Sequence, residues 1–214
     1  ITSVLAPGWS PIEVPDCNHA AFGDHIDEIF DESLAKHVFR FYIHPTPDND
    51  RCINFDRQRN EIKSYDKSPE NLLGREGERV TYQWKFKLPA GFQSSPKFTH
   101  IHQIKSVGGD LASMPIYTLT TRKGTPDQLE LRYAETENQG TLTRTDLAPF
   151  IGQWVEATET IVYGVNGTYN LELRNALTQE VLLSYANPSI VNWRPGASFA
   201  RPKWGVYRLS LIHI

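Results

Sequence analysis

Short segments in which apolar and polar residues alternate recur along the chain, separated by turns rich in Pro, Gly and Asn. Alternation with period two is typical of strands that turn one face to a core. In residues 80–88, for example, Tyr82, Trp84 and Phe86 share one face. About ten such segments predict about ten strands. They cover residues 38–44, 53–65, 80–88, 98–105, 116–122, 128–133, 154–163, 168–174, 181–185 and 202–208.

The remaining segments predict little regular structure. Residues 1–20 contain Pro7, Pro11 and Pro15 and are expected to form an irregular arm over the body of the protein. Residues 24–37 are the one stretch that favours a short helix, and residues 134–153 are expected to be a polar connection with no strand. Because helices do not alternate with the strands, we predict one all-β domain over residues 1–214, a β-jelly-roll sandwich of two antiparallel sheets.

The last predicted strand carries chemistry on one face. Alternation places Lys203, Gly205 and Tyr207 on one side and packing residues on the other. On this face only a glycine lies between the lysine and the phenol, and its lack of a side chain is expected to leave open space for a substrate.

Two further strands are unusually polar. Arg57, Arg59, Glu61 and Lys63 alternate along one, and residues 100–105 (His-Ile-His-Gln-Ile-Lys) belong to the other. His100 and His102 are two residues apart and are therefore expected on one face. We expect the three polar strands to line a concave groove that is the functional site.

Composition and charge exclude several classes of partner. The chain has 214 residues, 5 Trp, 9 Tyr and 10 Phe, which favours sheets with aromatic faces. A net charge of -3 gives no general basic field for nucleic acid or an anionic membrane. The chain contains no run of about 18 apolar residues, the length that would predict a membrane-spanning helix. The chain starts at Ile1 with no apolar leader, which fits a mature secreted protein, and secretion would allow Cys17 and Cys52 to form a disulfide rather than remain free thiols.

Several active-site types are absent from the sequence. It contains no Gly-x-Ser-x-Gly elbow, no phosphate-binding glycine loop and no Cys-x-x-Cys pair. The spacing of His100 and His102 suits a metal, but no third ligand is near in sequence. A glycosidase needs two carboxylates, whereas Glu61 stands among cations and is better interpreted as the partner that aligns Arg59 or Lys63.

The polar strands resemble those of known lyases. Residues 59–63 (Arg-Asn-Glu-Ile-Lys) look like the Arg-x-Glu-x-Arg strand of the jelly-roll alginate lyases, with Lys63 in place of the last arginine. Residues 203–207 (Lys-Trp-Gly-Val-Tyr) resemble their Lys-x-Gly-x-Tyr strand. Together with residues 100–105, the set is most similar to polysaccharide lyase family 20, the fungal endo-β-1,4-glucuronan lyases.

This resemblance implies β-elimination on a polyuronate, with glucuronan as the expected substrate. Gln103 would offset the uronate carboxylate, helped by Arg59, Lys203 or a histidine. Tyr207 would take the C5 proton and return it to O4, which lies on the same side of a β-1,4-linked glucuronate. His102 is the alternative base. The residues expected to bind substrate are Arg59, Glu61, Lys63, His100, Lys105 and Lys203.

The sequence also allows two alternative functions and a structural metal ion. The same sandwich would also suit a lectin-like carbohydrate-binding protein without turnover, or a lyase acting on alginate. The chemistry requires no cofactor. The resemblance also implies a structural calcium ion, for which the loop Asp48, Asn49 and Asp50 offers oxygen ligands. We expect a monomer whose partner is an acidic polysaccharide.

Overall fold

Antiparallel β-strands make up most of the chain in the computed structural model, which describes residues 1–17, 19–44, 46 and 48–209. The helical elements in this part are a single short α-helix and two 3-10 turns: α1 (Thr2–Leu5), Glu70–Leu72 and Ala148–Phe150. The strands are β1 (Ile12–Glu13), β2 (Ile26–Asp31), β3 (Lys36–Phe41), β4 (Arg57–Lys63), β5 (Arg79–Lys87), β6 (Thr99–Val107), β7 (Tyr117–Arg122), β8 (Gln128–Tyr133), β9 (Gly140–Asp146), β10 (Trp154–Val162), β11 (Gly167–Asn175), β12 (Val181–Ile190) and β13 (Phe199–Leu209).

These strands form two large sheets and a two-stranded ribbon. The larger sheet has seven strands in the order β1-β4-β13-β6-β7-β8-β9, and the smaller has four in the order β12-β11-β10-β5. The ribbon pairs β2 with β3. All pairings between these strands are antiparallel, which confirms the predicted jelly-roll sandwich.

The core lies between the two large sheets. Leu119 and Leu131 come from the seven-stranded sheet, while Ala157 and Leu171 come from the four-stranded sheet. Tyr82, Trp84 and Phe86 pack against this cluster from β5, as the alternation of that strand predicts. The other face of the seven-stranded sheet is therefore available for polar side chains.

The prediction of a short helix in residues 24–37 is wrong. This segment forms β2 and the turn that leads into β3. Ile26, Ile29 and Phe30 have helical spacing, but β2 finds a complete set of backbone partners along β3. The residues at the end of the ribbon are also joined to β4, because Asn60 donates to the carbonyl oxygens of His25 and Tyr42, each at 2.7 Å.

Two other strands were not predicted. β9 (Gly140–Asp146) lies in the expected connection, at the edge of its sheet, where exposed positions carry Thr and Arg instead of an alternating apolar face. β1 is two residues long and lies in the expected irregular arm. Cys17 and Cys52 form the predicted disulfide, which ties this arm to the segment before β4.

The strand β13 lies in the middle of the functional half of its sheet, between β4 and β6. Its register pairs Lys203 with Lys63 and Tyr207 with Arg59. Residues 210–214, which follow the last predicted strand, lie outside the described residues. Among the described residues, no helix is long and apolar enough to cross a membrane.

Candidate active site

Three neighbouring strands bring the predicted polar side chains together on the outer face of the seven-stranded sheet. β13 pairs with β4 on one side and β6 on the other, so that Tyr207 lies between Arg59 and His100. Lys203 similarly lies between Lys63 and Gln103. We call this surface the polar face; its residues are Glu13, Arg57, Arg59, Glu61, Lys63, His100, Gln103, Lys105, Lys203 and Tyr207.

Tyr207 has two arginines around its ring. Arg57 donates a hydrogen bond of 3.0 Å to the phenol oxygen. The guanidinium carbon of Arg59 lies 3.7 Å from the ring centroid, in a cation–π contact. On the β6 side the rings of Phe98 and His100 lie 5.3 and 6.0 Å from the Tyr207 ring, centroid to centroid. The phenol is thus positioned by cations on one side and aromatic rings on the other.

His100 faces the same side of the sheet as Tyr207. Its Nδ1 lies 2.7 Å from the hydroxyl oxygen of Thr120 on β7. Burial lowers the pKa of the His100 imidazole to about 3 against the opposing charge of Glu61. The ring is therefore neutral near pH 7, and a neutral imidazole has one nitrogen able to accept a proton.

Glu61 is the centre of a buried network beneath Tyr207. It is 1% exposed and accepts from Arg59 at 2.6 Å and from Lys203 at 2.8 Å. The amide nitrogen of Gln103 also donates to it. Burial raises the pKa of the Glu61 carboxyl, but the charges of Lys203 and Arg59 outweigh this effect and lower the pKa below its usual value. Glu61 is thus an anion that holds Arg59 in place, as the sequence predicts.

Lys203 and Gln103 lie deeper than expected. They are 2% and 1% exposed, so they form a layer below the surface with Glu61. Arg57 and Arg59 retain 35% and 12% of their side-chain exposure and stand closer to solvent. The arginines and Tyr207 are therefore better placed to contact a substrate than Lys203 and Gln103, which support them from the buried layer.

Glu13 belongs to this network but was not identified from the sequence. It bonds to Lys63 at 2.8 Å, to Arg51 at 3.2 Å and to Arg59 at 3.3 Å, and it also accepts from Lys203. Burial opposes its ionisation, yet Lys203, Lys63 and Arg59 hold the pKa of the carboxyl well below its usual 4.5. Glu13 reaches the site only because β1 pairs with β4, with Glu13 opposite Glu61.

Lys63 and Lys105 lie at the margins of the same face. Lys63 pairs with Glu13 and not with Glu61, so Arg59 alone of the two expected partners contacts Glu61. Lys105 donates to the carbonyl oxygen of Ser113 at 2.9 Å. Burial lowers the pKa of the Lys105 ammonium to about 8, and the charges of Lys203 and Arg59 act in the same direction.

His102 is not on the polar face, which corrects the expectation that it shares a face with His100. The pairing of β6 with β7 shifts register between His100 and His102. At this β-bulge the alternation of side chains is interrupted. His102 is 3% exposed, lies 4.3 Å from Trp84 between ring centroids, and places Nε2 2.9 Å from Glu159. It is a core residue and cannot act as the base on the other side of the sheet.

Gly205 does not serve as the open floor that the sequence indicates. Its φ is +132°, and a Cβ at this position would lie 2.2 Å from the carbonyl oxygen of Asn60 and 2.8 Å from Cα of Glu61. The glycine is thus required by the close approach of β4. It allows β13 to shift register against β6 between Trp204 and Tyr207, and this shift places Tyr207 opposite His100.

The loop expected to bind calcium turns its oxygens to separate partners. Asp48 lies among histidines, Asn49 accepts from the backbone nitrogen of Cys52 at 2.6 Å, and Asp50 accepts from Arg59 at 2.9 Å. The three side chains therefore do not gather around one point, and a structural calcium ion stays a prediction.

The fold and the polar face together define a jelly-roll sandwich with a cationic site on the outer face of its seven-stranded sheet. Solved structures share this fold. An endo-β-1,4-glucuronan lyase from the fungus Trichoderma reesei matches with a TM-score of 0.56, covering 96% of this chain and 82% of its own, at 16% identity. An alginate lyase from Pseudomonas aeruginosa matches with a TM-score of 0.52, covering 95% of this chain and 89% of its own, at 12% identity. No family model and no curated protein matches the sequence. At these identities the likeness shows a common fold.

Proposed function

We propose that this protein is a polysaccharide lyase that cleaves an acidic polysaccharide by β-elimination. The observation that carries the proposal is the environment of Tyr207, whose phenol oxygen is bonded to Arg57 while Arg59 and a neutral His100 lie beside its ring. A module that only binds sugar does not require a phenol held in this way. The fold shared with two lyases supports the same function.

The proposed reaction removes the proton at C5 of a uronate and breaks the bond between C4 and O4. Tyr207, acting as the phenolate, takes the C5 proton, and the electron pair of that C–H bond forms the C4=C5 double bond. The C4–O4 bond breaks, and O4 leaves with the proton that Tyr207 returns. The negative charge that builds on the uronate carboxylate is met by Arg59. Gln103 and Lys203 act through Glu61, which holds Arg59 at 2.6 Å.

His100 replaces His102 as the alternative base in this proposal. Its neutral imidazole lies on the same face as Tyr207, whereas His102 is bonded to Glu159 in the core. If His100 takes the proton at C5, Tyr207 acts as the acid that protonates O4. Both assignments keep the chemistry between β6 and β13.

Glucuronan is the proposed substrate. In β-1,4-linked glucuronate the C5 hydrogen and O4 lie on one side of the ring, so a single group at the position of Tyr207 can serve both. The structural neighbour from Trichoderma reesei is a glucuronan lyase, which supports this choice. Alginate is the second candidate, because the other neighbour is an alginate lyase.

The deciding experiment is a direct assay of elimination. Purified protein is incubated with glucuronan, alginate and a neutral β-glucan, and the ultraviolet absorbance of unsaturated uronate ends is followed. We expect absorbance to rise with glucuronan and not with the neutral glucan. Binding of a polyuronate without any unsaturated product would instead identify a lectin-like protein. A rise in absorbance with alginate alone would identify alginate, and not glucuronan, as the substrate.

We also propose that the protein is secreted, acts as a monomer and needs no cofactor for the elimination step. The Cys17–Cys52 disulfide supports secretion, because such bonds persist mainly in oxidising compartments.

A further inference from the structure

Three histidines and an aspartate converge at the end of the β2–β3 ribbon, outside the polar face. His19, His25, His44 and Asp48 each offer one ligand atom, and these atoms all lie within 4.8 Å of one another. The His25 and Asp48 side chains are fully buried, while His19 and His44 are 25% and 28% exposed. We propose that these four residues form a structural zinc site, which goes beyond the lyase function and does not depend on it.

The distances around Asp48 fit a tetrahedral ion. Its Oδ1 lies 3.3 Å from Nδ1 of His19 and 3.1 Å from Nε2 of His25, and its Oδ2 lies 3.1 Å from Nδ1 of His44. Ligands on a tetrahedral zinc ion with bonds of about 2.0–2.2 Å are about 3.3–3.5 Å apart. The two contacts of Oδ1 are already close to that spacing, and the four ligand atoms all lie within 4.8 Å of one another.

A second carboxylate orients the most buried ligand. Asp16 lies 2.6 Å from Nδ1 of His25 through Oδ1, which also accepts from the His25 backbone nitrogen at 3.1 Å. When Nδ1–H donates to Asp16, the Nε2 atom that faces Asp48 carries the lone pair that a metal needs. This pairing of carboxylate and histidine is the usual support for a metal-binding imidazole. Asp48 is held as well, because its Oδ2 accepts from the backbone nitrogen of His44 at 2.7 Å.

The type of ligand selects the metal and its role. Three imidazole nitrogens and one carboxylate oxygen suit zinc, whereas calcium takes six or more oxygen ligands. Four protein ligands fill a tetrahedral shell, which is typical of a structural site and leaves no position for a substrate. Phe22 packs on the three imidazoles, with ring centroids 4.4–5.3 Å away, and shields the site from water on that side.

The site supports the strand that carries the catalytic arginines. On the face of β4 away from Arg59, Gln58 donates to the carbonyl oxygens of His44 and Asp48. Asn60 donates to the carbonyl oxygen of His25 at 2.7 Å. An ion that joins His19, His25, His44 and Asp48 therefore fixes the backbone on which β4 rests.

The test is a metal titration that needs no turnover assay. Protein stripped with a chelator is titrated with zinc chloride by calorimetry, and its melting temperature is measured with and without the ion. We expect one zinc ion per chain and a higher melting temperature. His44→Gln should weaken binding by at least about 100-fold, since loss of a mere supporting residue already costs 10–100-fold. His37→Gln, which changes an exposed histidine of the same ribbon, should bind as the wild type does.

Cobalt substitution tests the geometry in the wild-type protein, in case the His44 variant does not fold. Tetrahedral Co²⁺ absorbs visible light strongly, whereas octahedral Co²⁺ absorbs weakly, so an intense visible band that zinc displaces is expected. No binding at micromolar zinc, equal binding by His44→Gln and the wild type, or only weak octahedral cobalt bands would each overturn the proposal.

Discussion

Arg57 donates a hydrogen bond of 3.0 Å to the phenol oxygen of Tyr207, although the two residues are 150 positions apart in the chain. Arg57 begins β4, the charged strand that the sequence assigns to the groove, but the sequence assigns no role to Arg57 itself. Its side chain also pairs with Asp56 at 2.7 Å, which fixes the direction from which it approaches Tyr207. The proton-transfer group of the proposed reaction is thus positioned by a residue that only the pairing of β4 and β13 brings near.

The first prediction concerns Tyr207→Phe. The change keeps the ring, the Arg59 cation–π contact and the packing on Phe98, but removes the hydroxyl. We expect kcat on the polyuronate to fall by about 10²–10⁴-fold, the usual contribution of general acid–base catalysis, with little change in KM or melting temperature. Tyr65→Phe, a phenol near Lys63 at the end of β4, serves as the control and should keep full turnover. A normal kcat in Tyr207→Phe would contradict the assignment of the active site to the polar face.

The second prediction separates the two histidines of β6. His100→Gln should lower kcat while leaving the fold intact, because the imidazole lies on the polar face beside Tyr207. His102→Ala should instead lower the melting temperature, because it leaves Glu159 without its imidazole partner in the core. A buried group that loses its partner costs about 1–3 kcal/mol of stability. Kinetics and thermal unfolding of both variants check this, and the reverse pattern would restore His102 as the base.

The third prediction is a stability profile with pH that depends on Glu13. The folded-state pKa of this carboxyl lies below its usual 4.5, so its contribution to stability is complete above about pH 4.5 and is lost as the pH falls below that value. Glu13→Gln removes this contribution at every pH, because Lys63 and Lys203 each lose their ion pair with Glu13. We expect the variant to unfold at lower denaturant concentration at pH 7, and the difference from wild type to shrink toward pH 2. A constant difference between pH 7 and pH 2 would contradict the assignment.

The fourth prediction concerns Lys105 and substrate affinity. Its pKa of about 8 means that the ammonium is charged below pH 8 and loses its charge as the pH rises above that value. KM for a polyuronate should therefore increase between pH 7 and pH 9. In Lys105→Arg the charge persists and this increase should be absent. An unchanged pH dependence of KM in the variant would show that Lys105 does not contact the substrate.

The sequence by itself determined the fold class and the content of the central strands. Period-two alternation in residues 80–88 and 202–208 assigns faces correctly, because a strand in a two-layer sandwich must turn alternate residues to the core. The same rule places Glu61 on one face with Arg59 and Lys63, the two partners that the sequence offered, and the structure pairs it with Arg59. The two cysteines predict a disulfide as one of two possible states, and the structure confirms it.

Only the tertiary structure decided what depends on register and on distant segments. The β-bulge at Ile101 sends His102 to the core, and no local pattern marks it, because an inserted residue alters alternation without altering composition. Glu13 and the cluster of His19, His25, His44 and Asp48 join segments far apart in sequence. Their contacts exist because β1 and the β2–β3 ribbon pack on β4, and packing of this kind depends on the whole chain.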